Sequence, residues 1–312
     1  MRRFRPFAAV ATIAITSVAL SACSSPGVSG SDQTSGSSDS SSTITVGSAN
    51  FTESEILANI YAIALRDAGY DVKEKFNIGS REVYIPALED SSIDLIPDYT
   101  GNLLSYLDSS ATATAADDVD AALPAALKAK GLAMGTPAPA EDKDSIVVTE
   151  QTAKEWNLKE IGDLAAHNDE LTFGGTPEFK ERAVGLPGLK ANYGVVPSNY
   201  VAIADGGGPA TVAALVDGTV KAANIYTTSP DIPANNFVVL EDPKNNFPAQ
   251  NVVPIFREGA VDSAALEVLN KVSAELTTDD LLSINAEVSG DAKMEPKAAA
   301  EQWLEDKGLI NN

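Results

Sequence analysis

Reactive side chains are scarce in this chain. Its one histidine, His167, lies in the polar phrase Ala166-His167-Asn168-Asp169-Glu170, the setting of a solvated loop residue rather than a general base. Its one cysteine, Cys23, closes an apolar leader-like segment, so a zinc-type centre of His and Cys ligands cannot be assembled. No G-x-S-x-G elbow occurs, and a serine triad would lack its usual frame. What remains for acid-base work is the pool of 44 Asp and Glu residues, from which a carboxylate pair could serve a hydrolase. The chain therefore reads as a binder that needs no cofactor and no metal, with an exported carboxylate-dependent hydrolase as the catalytic alternative.

Two phrases stand out instead: Gly47-Ser48-Ala49-Asn50-Phe51-Thr52-Glu53 and Ile93-Asp94-Leu95-Ile96-Pro97-Asp98-Tyr99-Thr100-Gly101-Asn102. Each must be carried by the end of a strand. Ile44-Thr45-Val46 alternates like a strand, and Thr52-Glu53-Ser54-Glu55 has the form of a capping box. It would open a helix whose apolar face carries Ile56, Leu57, Ile60, Ile63 and Ala64 and which Gly69 ends. A strand near Val72 to Phe76, a helix near Arg81 to Glu89 and a short strand stopped by Pro97 complete a βαβαβ beginning.

An alanine-rich helical stretch from Ala111 to Lys130 leads to the connector Gly135-Thr136-Pro137-Ala138-Pro139-Ala140 and a new strand from Ser145 to Thr149. The alternation then repeats. Helices are expected around Thr152 to Trp156, from Ile161, from the N-cap Thr176 with Pro177 at its first position, and after Asp205-Gly206-Gly207-Gly208-Pro209. Strands are expected at Leu171 to Phe173, Ala222 to Tyr226 and Phe237 to Leu240. At Phe247-Pro248 the chain returns, adding a strand from Val252 to Phe256 and helices at Ser263 to Leu276 and Ala298 to Lys307. The expected class is α/β, with two Rossmann-like lobes joined by a two-strand hinge. Lobe one comprises residues 43–142 and 249–312, and lobe two residues 143–248; a single doubly wound domain is the alternative. In such lobes the ligand side lies at the carboxyl ends of the strands, so two of them facing each other enclose a cleft.

The N-terminus has the order of an export leader. Arg2, Arg3 and Arg5 precede an apolar and small-residue run ending in Leu20-Ser21-Ala22-Cys23, which resembles a lipobox, so residues 1–22 are read as signal peptide and Cys23 as the lipidated residue. Residues 23–42, rich in Ser, Gly and Asp, form a flexible leash. Loss of the leader takes the net charge from −22 to about −25, which argues against nucleic acid as a partner. The expected place is the outer face of the cell membrane, held through the lipid on Cys23, and the expected state is monomeric.

The two phrases resemble signatures of the substrate-binding lipoproteins of glycine betaine, choline and carnitine ABC importers, which have the type II periplasmic-binding fold. The likeness extends to Glu178-Phe179-x-x-Arg182, Tyr226-Thr227-Thr228, and Leu240-Glu241-Asp242 followed by Phe247-Pro248. It runs in family order from Ile44 onward. The resemblance implies capture of an osmolyte and its delivery to a permease with an ATPase. A sensor of the same fold, or a protein for a different small osmolyte, are the alternatives.

By the same resemblance Tyr99 and Tyr226 match two positions of an aromatic cage. A quaternary ammonium has no N–H to donate, so ring faces hold it by cation–π attraction; simple packing of a tyrosine after a strand is the other reading. Arg182 matches the arginine that grips a ligand carboxylate, or else pairs along its own helix with Glu178. Asn50, Asn102 and Thr100 are expected at the cleft rim. The chain departs from the family where a lysine is usual, at Ala49, and where aromatics are usual, at Asp144-Ser145 and at Gln250. One reading of the thinner cage is a ligand of net positive charge, such as choline, with Asp144 or Asp205 as counter-ion.

Overall fold

The structure, a computed structural model, describes residues 43–290 and 292–310. The leader, Cys23 and the leash lie outside the described residues. The first part of the chain forms β1 (Ile44–Gly47), α1 (Thr52–Asp67), β2 (Val72–Lys75), α2 (Arg81–Glu89), β3 (Leu95–Tyr99), α3 (Thr100–Leu107), α4 (Ala116–Lys128) and β4 (Leu132–Met134). It then crosses to β5 (Asp144–Val148), α5 (Glu150–Glu155), β6 (Thr172–Gly175), α6 (Leu186–Tyr193), β7 (Asn199–Ala202), α7 (Pro209–Val216), β8 (Ala222–Tyr226), α8 (Asp231–Ala234) and β9 (Val238–Val239). It returns with β10 (Val252–Arg257), α9 (Ser263–Glu275), α10 (Thr278–Ser289) and α11 (Pro296–Asp306).

The strands form two five-stranded sheets, ordered β2-β1-β3-β10-β4 and β7-β6-β8-β5-β9. β1 is parallel to β2 and β3, and β6 to β7 and β8; the strands that follow the crossings, β10 and β5, run antiparallel to their neighbours. This is the expected pair of lobes. The crossings themselves lie side by side: Glu141 bridges Asn251, the Asp142 N–H donates to the Gln250 carbonyl at 3.1 Å, and the Val252 N–H to the Ala140 carbonyl at 3.0 Å. The two laced segments form the two-strand connection between the lobes.

α1 holds the first lobe together. Ile56, Leu57, Ile60 and Leu65 are fully buried in one cluster with Val46, Leu269, Val272 and Trp303, each such aliphatic side chain contributing about 1.5–3 kcal/mol. The capping box, however, is not formed. The Ser54 hydroxyl accepts the Ala49 N–H, Glu55 accepts from Asn77, and Glu53 turns inward. Pro97 does not stop β3 but sits inside it, opposite Pro254 of β10. A proline pair fits only a non-hydrogen-bonded site of an antiparallel ladder, and the β1 ladder has already ended at Leu95. The helix expected from Thr176 shrinks to a single 3₁₀ turn, Glu178–Lys180, before α6 begins at Leu186. The helix expected from Ile161 is likewise a 3₁₀ segment, Ile161–His167. β4, β7, α3 and α10 have no counterpart in the sequence reading, being short or lacking clean periodicity.

Candidate solute site between the lobes

The register of the sheets decides where the two tyrosines go. Tyr99 ends β3 and pairs with Val252 at the start of β10, while Tyr226 ends β8 and pairs with Asp144 at the start of β5. Each thus stands at the carboxyl end of a central strand, beside a crossing, and the two ends face one another. Between them lies a cavity, partly open to solvent, whose wall includes both rings.

Phe51, just after β1, joins the tyrosines. Its ring centroid is 6.2 Å from that of Tyr99 and 5.4 Å from that of Tyr226. Gly206 lets this happen: at φ +63° it takes the left-handed backbone, and a Cβ there would stand 3.0 Å from Phe51 Cβ and 3.6 Å from the Tyr226 ring. These three rings form one cluster on a cavity wall that Tyr84 also lines, and Phe51 was not singled out by the sequence reading, although it lies within one of the phrases that carried the resemblance.

Behind the rings lies a polar junction of both lobes and the hinge. Tyr99 Oη donates to Glu53 Oε1; Glu53 Oε2 accepts Thr228 Oγ1 at 2.6 Å and Asn285 Nδ2 at 2.5 Å. The Thr228 N–H in turn donates to Asp142 Oδ1 at 3.0 Å. Asp142 lines the cavity and is buried. Burial, then the nearby Glu53 charge, push its carboxyl well above the usual range, because a buried like-charged neighbour disfavours ionisation.

The opposite wall is basic. Arg81, the first residue of α2, is buried and donates through Nε (3.2 Å) and Nη2 (2.6 Å) to Asp98, which also accepts the Tyr84 hydroxyl at 2.8 Å. Arg182 lines the same wall. Its partner is not Glu178 but Glu82 of the other lobe, held through Nε at 3.1 Å and Nη2 at 2.9 Å. Burial would raise the Glu82 carboxyl, yet the Arg182 fork overrides it and the group sits at about 2. Burial and the neighbouring Arg81 charge work against the Arg182 proton in turn, and Glu82 more than restores it.

The remaining expected residues divide. Asn50, Asn102 and Gln250 line the cavity. Asp144 does not; it lies beneath, accepting Asn102 Nδ2, Asn224 Nδ2 at 2.9 Å and Gln250 Nε2 at 3.2 Å. Thr100 is turned to the return crossing, where its Oγ1 accepts the Asn251 N–H at 3.1 Å. Asp205 is away from this wall as well: its carboxylate takes the N–H groups of Ala210 and Thr211 and the Thr211 hydroxyl, capping α7. The Asp-Gly-Gly-Gly-Pro spacing could have signalled that cap. Asp142, Arg81 and Glu82 were missed, since nothing in their neighbourhood marks them as facing a cleft.

Residues 42–306 match the family described as the substrate-binding domain of ABC-type glycine betaine transport systems. The chain belongs to that family. Among its relatives are the glycine betaine-binding protein YehZ of Escherichia coli K12, 28% identical over 279 residues and covering 86% of this chain and 91% of that one. Another is the carnitine transport binding protein OpuCC of Listeria monocytogenes, 28% identical over 302 residues and covering 93% and 92%. A solved glycine betaine/carnitine/choline ABC transporter structure shares the fold, with a TM-score of 0.67 at 21% identity, covering 86% of this chain and all of that one. Family membership makes the chain an extracytoplasmic binding protein of an ABC importer, working with a permease, and not an enzyme. The type II periplasmic-binding fold expected from the resemblance is the fold observed.

Proposed function

We propose that the protein captures a quaternary-ammonium osmoprotectant of the glycine betaine, carnitine and choline group between its lobes and delivers it to the permease. The observation that carries this reading is the three-ring wall of Phe51, Tyr99 and Tyr226 at the mouth of both hinge strands. A cation without N–H donors gains nothing from hydrogen-bond acceptors alone; ring faces attract it without demanding a donor, at about 0.5–2 kcal/mol each once water is excluded. Asp142 adds a carboxyl on the cavity wall that a bound cation would draw toward ionisation. The curated relatives, named for glycine betaine and carnitine, support the same class.

In this reading residues 43–142 and 249–312 form one lobe and 143–248 the other. The mature chain is anchored by a lipid on Cys23, acts as a monomer, and serves a permease energised by its ATPase. Ligand binding selects the form in which the lobes meet. Calorimetric titration of the chain from Thr43 onward with choline, glycine betaine, carnitine and proline betaine tests the class. Saturation by at least one at a single site per chain is expected, and heat from none of the four would refute it.

A further inference from the structure

Arg182 is the residue expected to receive a ligand carboxylate, yet its fork is filled from within the chain. Glu82 presents a carboxylate to Nε and Nη2 in side-on bidentate geometry, the contact a bound carboxylate would make. The side chains of Arg182 and Glu82 are 22% and 40% exposed, so the pair is at the cavity margin rather than in the core. Position 49, on the cavity wall, is alanine and adds no second basic group. Arg81 is likewise committed to Asp98.

An independent observation concerns the polar end of the solute. Asn102 lines the cavity, and its amide is oriented by Asp144, a carboxylate that can only accept from Nδ2. Its Oδ1 is consequently turned elsewhere, buried, and accepts no hydrogen bond among the described residues. A buried orphan acceptor costs free energy until a donor reaches it. Choline carries a hydroxyl that donates; glycine betaine carries no donor at all.

We propose that Glu82 is a specificity-determining residue that stands in for the ligand carboxylate on Arg182, and that with the Asn102 acceptor it tunes this site to quaternary-ammonium alcohols of the choline class over betaines. The inference rests on the quaternary-ammonium reading of the cavity and sharpens it. A betaine would have to displace Glu82 from the fork or bring a second carboxylate beside it, whereas a choline-type solute leaves that pair untouched.

The test is a set of calorimetric titrations with choline, glycine betaine, carnitine (hydroxyl and carboxylate together) and tetramethylammonium (neither). Wild-type protein, Glu82→Gln, Glu82→Ala and the double variant Glu82→Gln/Arg182→Met are compared. Wild type is expected to bind choline tightest. Both Glu82 variants should move the choline-to-betaine affinity ratio toward betaine by about tenfold or more, the worth of a hydrogen-bonded charge contact, and the double variant should cancel that gain. Asn102→Leu should weaken choline and carnitine while sparing tetramethylammonium. Wild-type preference for betaine, or Glu82 variants that weaken every solute by the same factor, would reduce Glu82 to a strut between lobes and overturn the assignment. Should no solute bind wild type, the quaternary-ammonium reading itself would fail first.

Discussion

Thr228→Val isolates the hydrogen bond that joins the lobes behind the cage. Thr228 follows β8 in one lobe, and its hydroxyl reaches Glu53 Oε2 on α1 of the other at 2.6 Å. Valine keeps the side-chain shape and the backbone N–H that serves Asp142, so the losses are the donor to Glu53 and an acceptor that Asn285 Nδ2 reaches at 3.2 Å, while Asn285 keeps its bond to Glu53. Glu53 retains Tyr99 and Asn285, which keeps the ring wall in place. A hydrogen bond to a carboxylate is worth about 1.5–3 kcal/mol. The contact exists only while the lobes meet, so the whole loss falls on that form and none on the separated one. With the joined form as the binding form, the apparent Kd rises by up to about 10- to 150-fold. Calorimetry on wild type and variant measures the rise, and stopped-flow release should show it as faster dissociation. The ratio of affinities among solutes should not move, because no group facing the solute has changed. Thermal unfolding of the ligand-free variant should shift little. A Kd indistinguishable from wild type would show that Thr228 and Glu53 do not govern lobe closure, and the argument from this junction would fail.

Tyr226→Ala should weaken the bound solute at least tenfold, since a ring over a desolvated cation contributes more than about 1.4 kcal/mol, whereas Tyr226→Phe should hold affinity; equal losses in both would assign the effect to the hydroxyl. Asp142→Asn tests the raised carboxyl: its folded value lies above that of the unfolded chain, so Asp142 favours folding below the unfolded value of about 3.9 and loses that contribution as pH rises through the folded one. Denaturant unfolding should therefore find the asparagine variant gaining on wild type between acid and neutral pH, and choline affinity, which should rise with pH in wild type as Asp142 ionises, should become flat. Gly206→Ala should cost about 1–2 kcal/mol for a side chain at positive φ and also weaken binding by pressing on Phe51, measured by melting and titration together; binding unchanged would free Phe51 from the cage.

The legible part of the site is the part that a strand end writes locally. Tyr99 follows Ile93-Asp94-Leu95-Ile96 and Tyr226 follows Ala222 to Ile225, so both could be placed at carboxyl strand ends from composition alone, with the family likeness supplying their role. Phe51 was in view but undervalued, because three rings converge only once β1 and β8 are brought into opposition. Local rules also misled. Thr52 to Glu55 has every letter of a capping box, yet three of its side chains are recruited elsewhere: Ser54 by the Ala49 turn, Glu55 by Asn77, Glu53 by Tyr99, Thr228 and Asn285. Pro97 was read as a stop because its missing N–H forbids a ladder bond, and only the pairing with Pro254 shows that no such bond was required.

What stays hidden are the pairs that bridge the lobes. Glu82 and Arg182 are 100 residues apart and Glu53 and Thr228 175, and each pair juxtaposes groups whose own surroundings look like an ordinary charged helix start or polar loop. Helix periodicity would have joined Arg182 to Glu178, and one backbone bond of that spacing does form, from the Arg182 N–H to the Glu178 carbonyl at 3.0 Å, but no helix continues from this turn before α6, and the guanidinium turns to Glu82 of the other lobe. That pairing matters physically. A cationic fork at a cleft must find an anion either in the solute or in the protein, and which of the two supplies it sets whether a carboxylate on the solute is welcome. The composition of a single lobe therefore cannot encode specificity here; it is set by Glu82 on one side answering Arg182 on the other, and it is the lobe contact, not either motif alone, that natural variation would have to alter to change the solute.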